Sequence, residues 1–323
     1  MAILVTGAAG FVALNVVEHL LRAGRDVVGL DRIPLPERAQ REFANLPGHL
    51  TMIDGTILSD ADLSRALTAM PVASVIHCAV ITAGTQRETS DPGSIIGVNI
   101  QGAVATLVAA AHRGVRRFVY PSSGAIYGAS AATVNLMDED TLRPAPVNLY
   151  GLTKLAAESI LPRVAATQGI ELTVARLGVV YGPWEYATGS RDTLSPMLQT
   201  LELAAAGKEA VLGPPWRGDY TLSRDIAAGL AMLADQPSTP RIVYNLATGR
   251  AATVEDWCRI LEARLPGFRW RRAAAGETWN VESHTGFDRG AMDIAKITAD
   301  ISYVPNYDLE RAADHLLAWR TGG

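Results

Sequence analysis

The chain is poor in cysteine and has no excess of basic residues. Cys78 and Cys258 are its only cysteines, and this scarcity favours a reducing compartment, although one bridge between them is arithmetically possible. The formal net charge of −4 argues against a nucleic-acid partner, which needs a basic face. Metal-ligand spacings such as Cys-x-x-Cys and His-Glu-x-x-His are missing, so no metal site is predicted.

Long hydrophobic runs are also missing. Glycine or charged residues interrupt each apolar segment before it reaches the length of a bilayer span. A strand-like pattern begins at Ala2, which leaves no room for a signal peptide. We therefore expect a cytoplasmic protein without a membrane partner. The composition, 48% hydrophobic and 19% charged, is that of ordinary globular proteins.

Strand-like and helix-like segments alternate as far as Leu177. Short apolar runs predict buried strands, and stretches with helical periodicity lie between them. The predicted strands are Ala2–Val5, Asp26–Leu30, His49–Ile53, Ala73–Cys78, Arg117–Pro121 and Glu171–Leu177, and the predicted helices are Phe11–Arg22, Asp60–Ala69, Ile95–Ala111 and Tyr150–Gln168. This alternation predicts an α/β fold, a Rossmann-type doubly wound parallel sheet.

The pattern changes after Tyr181-Gly182-Pro183. The following residues are turn-rich, and the later regular segments are spaced more widely. Helices are predicted over Ser223–Ala234, Val254–Leu265 and Leu309–Arg320, with a strand over Arg241–Leu246. We predict a dinucleotide-binding domain over 1–178 with return segments near 220–248, and a smaller, loop-rich, mainly substrate-binding region over 179–323.

A glycine-rich turn joins the first strand to the first helix. In Gly7-x-x-Gly10-x-x-Ala13, Gly7 permits the tight turn and Gly10 lets a pyrophosphate approach the helix N-terminus. Asp31 ends the second strand, where a carboxylate accepts hydrogen bonds from a ribose 2′-hydroxyl and repels a 2′-phosphate. The cofactor is therefore predicted to be NAD rather than NADP, although Arg32 could meet a phosphate.

Three side chains predict a proton relay. Tyr150 and Lys154 are four residues apart, so a helix places them on one face. An ammonium group beside a phenol favours the phenolate and lowers its pKa from about 10, which suits a general base or acid. Ser123 follows a strand and could hold a substrate oxygen near Tyr150. Together these residues predict hydride and proton transfer between a nicotinamide and a secondary alcohol.

These residues lie in a chain that resembles the extended short-chain dehydrogenase/reductases, in particular the nucleotide-sugar epimerase and dehydratase group. The resemblance covers nearly the full length. Its segments are Thr6-Gly7-x-x-Gly10, His77 to Val80, Asn99 to Gly102, Ser123 to Gly128, Tyr150-x-x-x-Lys154, Arg176 to Pro183, Gly218 to Asp225 and Tyr244 to Gly249.

The resemblance implies roles for particular positions. Ser123, Tyr150 and Lys154 would be the catalytic trio, and Asn99 would orient the central helix. It also implies a homodimer formed by the helices at Ile95–Ala111 and Tyr150–Gln168. The implied and predicted cofactor contacts are Gly7, Gly10, Phe11, Val12, Asp31, Arg32, Thr56, Ile57, Cys78, Ala79, Val80, Asn99, Ser122, Tyr150, Lys154, Leu177 and Val180.

Two departures from the family pattern bear on the ligands. Thr56 stands where the family often has an aspartate that contacts adenine, so altered adenine contacts are expected. Val179 stands where nucleotide-sugar members usually have an asparagine that serves the substrate phosphates, and an apolar side chain cannot do so. We therefore expect a substrate without a nucleotide, such as a free sugar, sugar acid or polyol-like alcohol, unless another residue compensates.

The reaction can be narrowed in the same way. Related dehydratases carry Asp-Glu at the positions of Gly124 and Ala125, and related decarboxylases carry a glutamate at that of Ala125. Without these carboxylates, elimination and decarboxylation lack an acid. Oxidation, reduction or epimerisation remains.

The predicted substrate contacts lie mainly in loops. The two tryptophans Trp184 and Trp216 could stack on a sugar, and two arginines could grip a carboxylate bidentately. The predicted set is Thr82, Ser123, Gly124, Tyr150, Val179, Trp184, Arg191 and Arg217.

Three functions are compatible with this site. The preferred one is an NAD-dependent oxidoreductase for a secondary alcohol of a non-nucleotide sugar, sugar acid or polyol. The alternative is an NAD-dependent sugar epimerase, possibly for a nucleotide sugar, that reduces its cofactor transiently. A non-catalytic NAD-sensing protein is the third, and the intact Ser123, Tyr150 and Lys154 argue against it.

Overall fold

The computed structural model describes residues 1–186, 189, 191–282 and 286–322. Seven parallel strands form the central sheet, in the order β3-β2-β1-β4-β5-β6-β7. They are β1 (Ala2–Thr6), β2 (Val27–Asp31), β3 (Leu50–Asp54), β4 (Val72–His77), β5 (Arg117–Ser123), β6 (Glu171–Leu177) and β7 (Val243–Leu246). The predicted α/β fold is therefore confirmed.

Helices cover both faces of this sheet. In chain order they are α1 (Phe11–Arg22), α2 (Glu37–Phe43), α3 (Asp60–Thr68), α4 (Thr85–Ser90), α5 (Pro92–Ile96), α6 (Ala103–His112), α7 (Leu149–Gln168), α8 (Pro196–Ala205), α9 (Ser223–Asp235), α10 (Val254–Arg264), α11 (Ala295–Ile301) and α12 (Leu309–Thr321). A π-helical turn, Gly97–Gly102, joins α5 to α6.

Two apolar cores result, because the strands are buried on both sides. The core on one face contains Leu14 of α1 and Leu230 of α9, and these two helices pack together. The core on the other face contains Leu63 of α3, Leu107 of α6 and Leu161 of α7. This arrangement leaves the carboxyl ends of the strands accessible for a site.

A third core lies in the C-terminal half. It contains Met197 of α8, Trp257 of α10 and Leu316 of α12. Four pairs of short strands lie outside the main sheet. They are Val179–Tyr181 with Tyr220–Leu222, Arg217–Gly218 with Ala252–Thr253, Ala210–Leu212 with Trp270–Arg272, and Leu136–Met137 with Ala291–Met292. Between these segments the chain returns to the main sheet, because β7 pairs with β6.

One helical stretch bears on the expectation of no membrane span. Pro92–His112 is long and apolar enough, by length and composition, to cross a membrane. Ile95, Ala103 and Leu107 within it are fully buried against the rest of the protein. A core helix of a globular fold meets the same criterion, so this stretch is weak support for a membrane span.

Candidate active site

A cleft crosses the carboxyl ends of the strands where β1 lies between β2 and β4. This is the topological switch point at which such sheets bind dinucleotides. Gly7 turns there with a φ of 65°, and a Cβ at this position would lie 2.7 Å from the Cα of Ala79. The backbone can therefore make this turn beside Ala79 only with glycine.

Asp31 lies at the edge of this cofactor cleft in a fixed orientation. Its Oδ2 accepts a hydrogen bond from the Ala9 N–H at 2.9 Å, and its Oδ1 accepts one from the Ile33 N–H at 3.2 Å. The exposed Arg32 lines the cleft beside it. A carboxylate held here suits ribose hydroxyls, so the residues present fit NAD.

Most of the predicted cofactor contacts line this cleft, whose volume is about 340 Å³. They are Gly7, Gly10, Phe11, Val12, Asp31, Arg32, Thr56, Ile57, Cys78, Ala79 and Val80. Asn99 lies outside the lining, buried behind it. Its side-chain N–H groups donate to the carbonyl of Ile81 and to the Thr153 hydroxyl, so it positions the cleft wall against α7.

A second cavity of about 500 Å³ adjoins the cleft and shares Val12, Cys78, Val80, Thr82 and Arg191 with it. We call it the reaction cavity, because the three predicted catalytic residues line it. The other predicted residues that line it are Thr82, Ser122, Gly124, Leu177, Val179, Val180 and Arg191.

The ends of two elements bring the trio together. Ser123 ends β5 and begins a short helical turn, and its Oγ accepts a hydrogen bond from the Ala125 N–H at 3.1 Å. Helix α7 begins at Leu149, capped by the Asn148 side chain, which accepts from the Gly151 N–H at 2.8 Å. The first turn of α7 thus carries Tyr150 to the carboxyl end of β5.

Tyr150 is partly buried at the wall of the reaction cavity, and the pKa of its phenol differs from the sequence-based expectation. Burial raises the pKa of Tyr150, and hydrogen bonding to Ser123, the charge of Arg191 and hydrogen bonding to Thr82 oppose that rise only in part. The expectation that Lys154 lowers this pKa is wrong for the structure. The lysine's Nζ donates to the carbonyl of Pro121 at 2.7 Å and lies 6.0 Å from the centre of the Tyr150 ring.

Lys154 itself is almost fully buried. Burial disfavours its ammonium form and lowers the pKa of Lys154 to about 8. The Nζ also lies 4.5 Å from the centre of the Tyr120 ring. At neutral pH the pKa of the Lys154 amine is therefore close to the pH, whereas the Tyr150 phenol is protonated and neutral.

Trp184 does not line the reaction cavity. It is 3% exposed, its Nε1 donates to Glu18, and its ring packs edge-on against Phe43 and Trp319. It belongs to the core beside α1, so the prediction that it stacks on a sugar is wrong. Trp216 lines a separate crevice with Trp279 and is also outside the lining of the reaction cavity.

The two predicted carboxylate-gripping arginines are both already paired. Arg217 lies outside the reaction cavity lining and forms an ion pair with Asp288 at 3.6 Å, so the structure contradicts its predicted role. Arg191 does line the cavity, but its guanidinium pairs with the buried Glu185 at 2.8 Å. Its charge is therefore balanced before any substrate binds.

Sequence reasoning did not predict that the segment around Gly189 and Arg191 borders the cofactor cleft. We call the described residues 184–186, 189 and 191–193 the strap. Tyr186 Oη donates to the carbonyl of Ala9 in the glycine turn at 2.5 Å. At the other end, Arg87 of α4 donates to both Asp192 carboxylate oxygens and to the Gly189 carbonyl. The strap is thus fastened on both sides of the cleft.

The floor of the reaction cavity includes the buried Asp219. Its carboxylate accepts hydrogen bonds from the N–H groups of Thr248, Gly249 and Met292 and from the Thr248 hydroxyl. Burial raises the pKa of Asp219. Because these donors come from separate segments, Asp219 holds the floor together.

No group of three His, Cys, Asp or Glu side chains that could hold a metal occurs in the part of the chain that the structure describes.

Comparison with known proteins identifies the family of this chain. The model of the NAD dependent epimerase/dehydratase family matches residues 3–247. UDP-glucuronate 4-epimerase 4 of Arabidopsis thaliana is 31% identical over 99% of this chain and 75% of its own length. UDP-glucose 4-epimerase of Pasteurella multocida is 27% identical over 81% of this chain and 82% of its own length.

Solved structures share the fold. MoeE5 in complex with UDP-glucuronic acid and NAD superposes with a TM-score of 0.81 at 24% identity, covering 100% of this chain and 99% of MoeE5. The family match extends over the glycine turn, the Ser123–Tyr150–Lys154 site and β7. The chain therefore belongs to the NAD-dependent epimerase/dehydratase family, whose members are enzymes of the extended short-chain dehydrogenase/reductase type that use NAD.

Proposed function

We propose that the protein is an NAD-dependent sugar epimerase that oxidises one secondary alcohol of a nucleotide sugar and reduces it again from the other side. The strap is the observation that carries this proposal. It joins the glycine turn to α4 across the cofactor cleft, through Tyr186 and Asp192. A cleft bordered in this way suits an enzyme that keeps its cofactor between turnovers, whereas a dehydrogenase must exchange it each time.

The nature of the substrate is argued from the relatives. Those aligned over nearly the whole chain are named as UDP-glucuronate 4-epimerases, and others are UDP-glucose 4-epimerases. They favour a nucleotide sugar over the free sugar inferred from Val179. A dehydrogenase for a free sugar acid or polyol is the second candidate, because Val179 does line the reaction cavity.

The proposed mechanism uses the trio in fixed roles. NAD, when bound, supplies a hydride acceptor and a positive ring charge. Ser123 holds the alcohol oxygen near Tyr150, and the phenolate of Tyr150 accepts the alcohol proton. A nearby positive charge is needed to bring the raised pKa of this phenol down. Lys154, anchored on the Pro121 carbonyl, is placed to bind the nicotinamide ribose.

The return step needs the same groups in reverse. The phenol of Tyr150 would give the proton back to the carbonyl oxygen, and the reduced cofactor would be the source of the hydride for the opposite face of the oxidised carbon. The sugar must therefore turn within the reaction cavity, whose volume of about 500 Å³ lies in the range of ordinary ligand pockets.

The test follows both cofactor and product. One portion of the purified protein is denatured to measure the NAD it releases. A second, native portion is incubated with UDP-glucuronate or UDP-glucose, and the sugar protons are followed by NMR. A C4 epimer formed without net NADH supports the proposal. Net NADH formed from added NAD and a free sugar acid or polyol would instead establish the dehydrogenase. Bound NAD without turnover of any of these sugars would favour a non-catalytic NAD-sensing protein.

We further propose a homodimer formed through the α5–α6 and α7 helices. Leu152 and Ile160 of α7 and Ile96 of α5 are large apolar side chains that are 50%, 39% and 41% exposed. Two of them are eight residues apart on one face of α7. We also propose that residues 179–323 supply mainly substrate contacts and that the protein works in the cytoplasm.

A further inference from the structure

Arg289 lies in the wall of the reaction cavity and forms no ion pair with any carboxylate that the structure describes. Its side chain lines the cavity that also contains Ser123 and Tyr150. Its Nε is buried and has no hydrogen-bond partner. None of the ion pairs formed by the described residues includes it, whereas Arg191 and Arg217 both have carboxylate partners.

The charge of Arg289 persists although it is poorly solvated. Burial lowers the pKa of Arg289 to about 10, so the guanidinium stays protonated at neutral pH. A buried charge without a partner destabilises a folded protein. An unpaired buried cation is tolerated where a bound ligand supplies the missing negative charge. Arg289 borders a cavity that is large enough to hold such a ligand.

The backbone fixes where this cation lies. The N–H of Arg289 donates to the Arg217 carbonyl at 3.0 Å. The next residue, Gly290, approaches Asn135 so closely that a Cβ would lie 2.6 Å from its carbonyl carbon. Ala291 then pairs with Leu136. The guanidinium carbon lies 5.6 Å from the centre of the Phe287 ring.

The acidic side chains that line the cavity do not form ion pairs with the Arg289 guanidinium. Asp219 accepts the hydrogen bonds of its own floor segments, and Glu88 accepts from the Leu149 N–H. Glu282 lines the cavity but forms no ion pair with Arg289. The cavity therefore presents an unmatched positive charge to its occupant.

We propose that Arg289 binds an anionic group of the substrate and so favours anionic ligands over neutral ones. Guanidinium binds carboxylate and phosphate oxygens alike, often in a bidentate manner. The anion is therefore a sugar carboxylate or a phosphate of the nucleotide. This inference rests on the proposed function for the reaction, but its binding step can be tested without turnover.

The experiment measures binding by calorimetry on the NAD-loaded protein. The ligands are UDP, UDP-glucose, UDP-glucuronate and glucuronate, with glucose as the neutral control. Arg289→Gln is compared with Arg217→Gln, which removes an exposed arginine outside the cavity. We expect Arg289→Gln to weaken anion binding about tenfold or more, the effect of losing a charge-assisted hydrogen bond, and Arg217→Gln to leave it unchanged.

The ligand set identifies the anion. Equal weakening for UDP, UDP-glucose and UDP-glucuronate would assign Arg289 to phosphate. Weakening for UDP-glucuronate and glucuronate alone would assign it to the carboxylate. Equal affinities of Arg289→Gln and Arg217→Gln for every anion would overturn the proposal, as would failure of the wild type to bind any of them. An epimerase assay that fails while these binding differences persist would overturn only the proposed function.

A stability measurement shows whether a variant that binds anions weakly is still folded. Because Arg289→Gln removes an unpaired charge, its thermal midpoint should equal or exceed that of the wild type. Arg289→Lys keeps the positive charge but loses the planar, forked guanidinium. Its anion affinity should therefore lie between those of the wild type and Arg289→Gln. A lysine variant as weak as the glutamine variant, in a folded protein, would show that charge at this position is irrelevant and would overturn the proposal.

Discussion

A substitution of Tyr150 should affect the catalytic step without affecting the binding of NAD. The phenol of Tyr150 lies beside the Ser123 hydroxyl in the reaction cavity, where it would carry the proton in both directions. We expect Tyr150→Phe to keep its NAD and to lose turnover by a factor of about 10² to 10⁴, the usual contribution of a general acid–base group. Released NAD and the rate of epimer formation measure the two effects.

Tyr120 offers a matched control for that substitution. It is fully buried next to Lys154, and its hydroxyl has no hydrogen-bond partner among the described residues. Tyr120→Phe removes an unsatisfied buried polar group, so stability should stay the same or increase. Near-full turnover in Tyr150→Phe, or an equal loss in Tyr120→Phe, would contradict the assigned role.

Lys154 gives a prediction for the pH dependence of stability. Burial lowers its pKa from 10.5 to about 8, so the unfolded chain binds more protons than the native protein between these values. The free energy of unfolding should therefore rise with pH across this window, and the penalty is complete below pH 8. Lys154→Met should remove that rise and stabilise the protein at neutral pH by roughly 3 kcal/mol at most.

Denaturant unfolding of protein stripped of NAD, at pH values below 8 and above 10.5, measures this effect. The wild type and Lys154→Met should differ at the lower pH and converge at the higher one. If the two proteins differ by the same amount at both pH values, the lysine is not held in a desolvated environment.

At the scale of elements, the proposed function predicts that the strap slows the release of the cofactor. Arg87 holds it through Asp192 and Gly189, and both partners of the ion pair are about one quarter exposed. We expect Arg87→Met to speed NAD dissociation several-fold, because the strap loses its anchor on α4 while the cleft itself is unchanged. Exchange of bound NAD for labelled NAD measures the rate.

The control for this substitution is Arg25→Met. It breaks a similar ion pair, with Asp235, that joins the end of α1 to α9 far from the strap. NAD exchange should be unaffected there. An Arg87→Met protein that exchanges NAD no faster than Arg25→Met would indicate that the strap does not retain the cofactor.

The elements of the sheet could be predicted because each carries its own local signal. Buried strands such as Ile3–Val5 are apolar runs, and α1 shows a regular apolar stripe before Gly24. Helices α2, α4, α8 and α11 were not predicted. Helix α2 is a charged segment with few buried residues, and α8 follows an aperiodic stretch.

The site was predictable only in part, for the same reason. The glycine turn and the trio have fixed local spacings. Trp184 could not be placed, because its packing partner Trp319 lies in the C-terminal helix. Arg289 could not be found, because its distinguishing property is the lack of a carboxylate neighbour, and that depends on how distant segments fold together.

At the scale of the whole molecule, the apolar cores lie inside the fold, but one surface of α7 exposes apolar side chains. Leu152 and Ile160 lie on the outside of the helix whose first turn carries Tyr150. Exposed apolar side chains grouped in this way mark association surfaces. A second copy of the chain, with the same surface, would cover them.

Ile160→Glu tests this proposal, because it places two buried charges in a two-fold interface, where unpaired charges are strongly unfavourable. We expect light scattering to give a dimer mass for the wild type and a monomer mass for the variant. Val304→Glu is the control, since Val304 is 63% exposed in the loop after α11. A monomeric wild type, or a variant that stays dimeric at the same concentration, would exclude α7 as the dimer contact. Loss of turnover on dissociation would further indicate that the partner steadies the first turn of α7 and so holds Tyr150 in place.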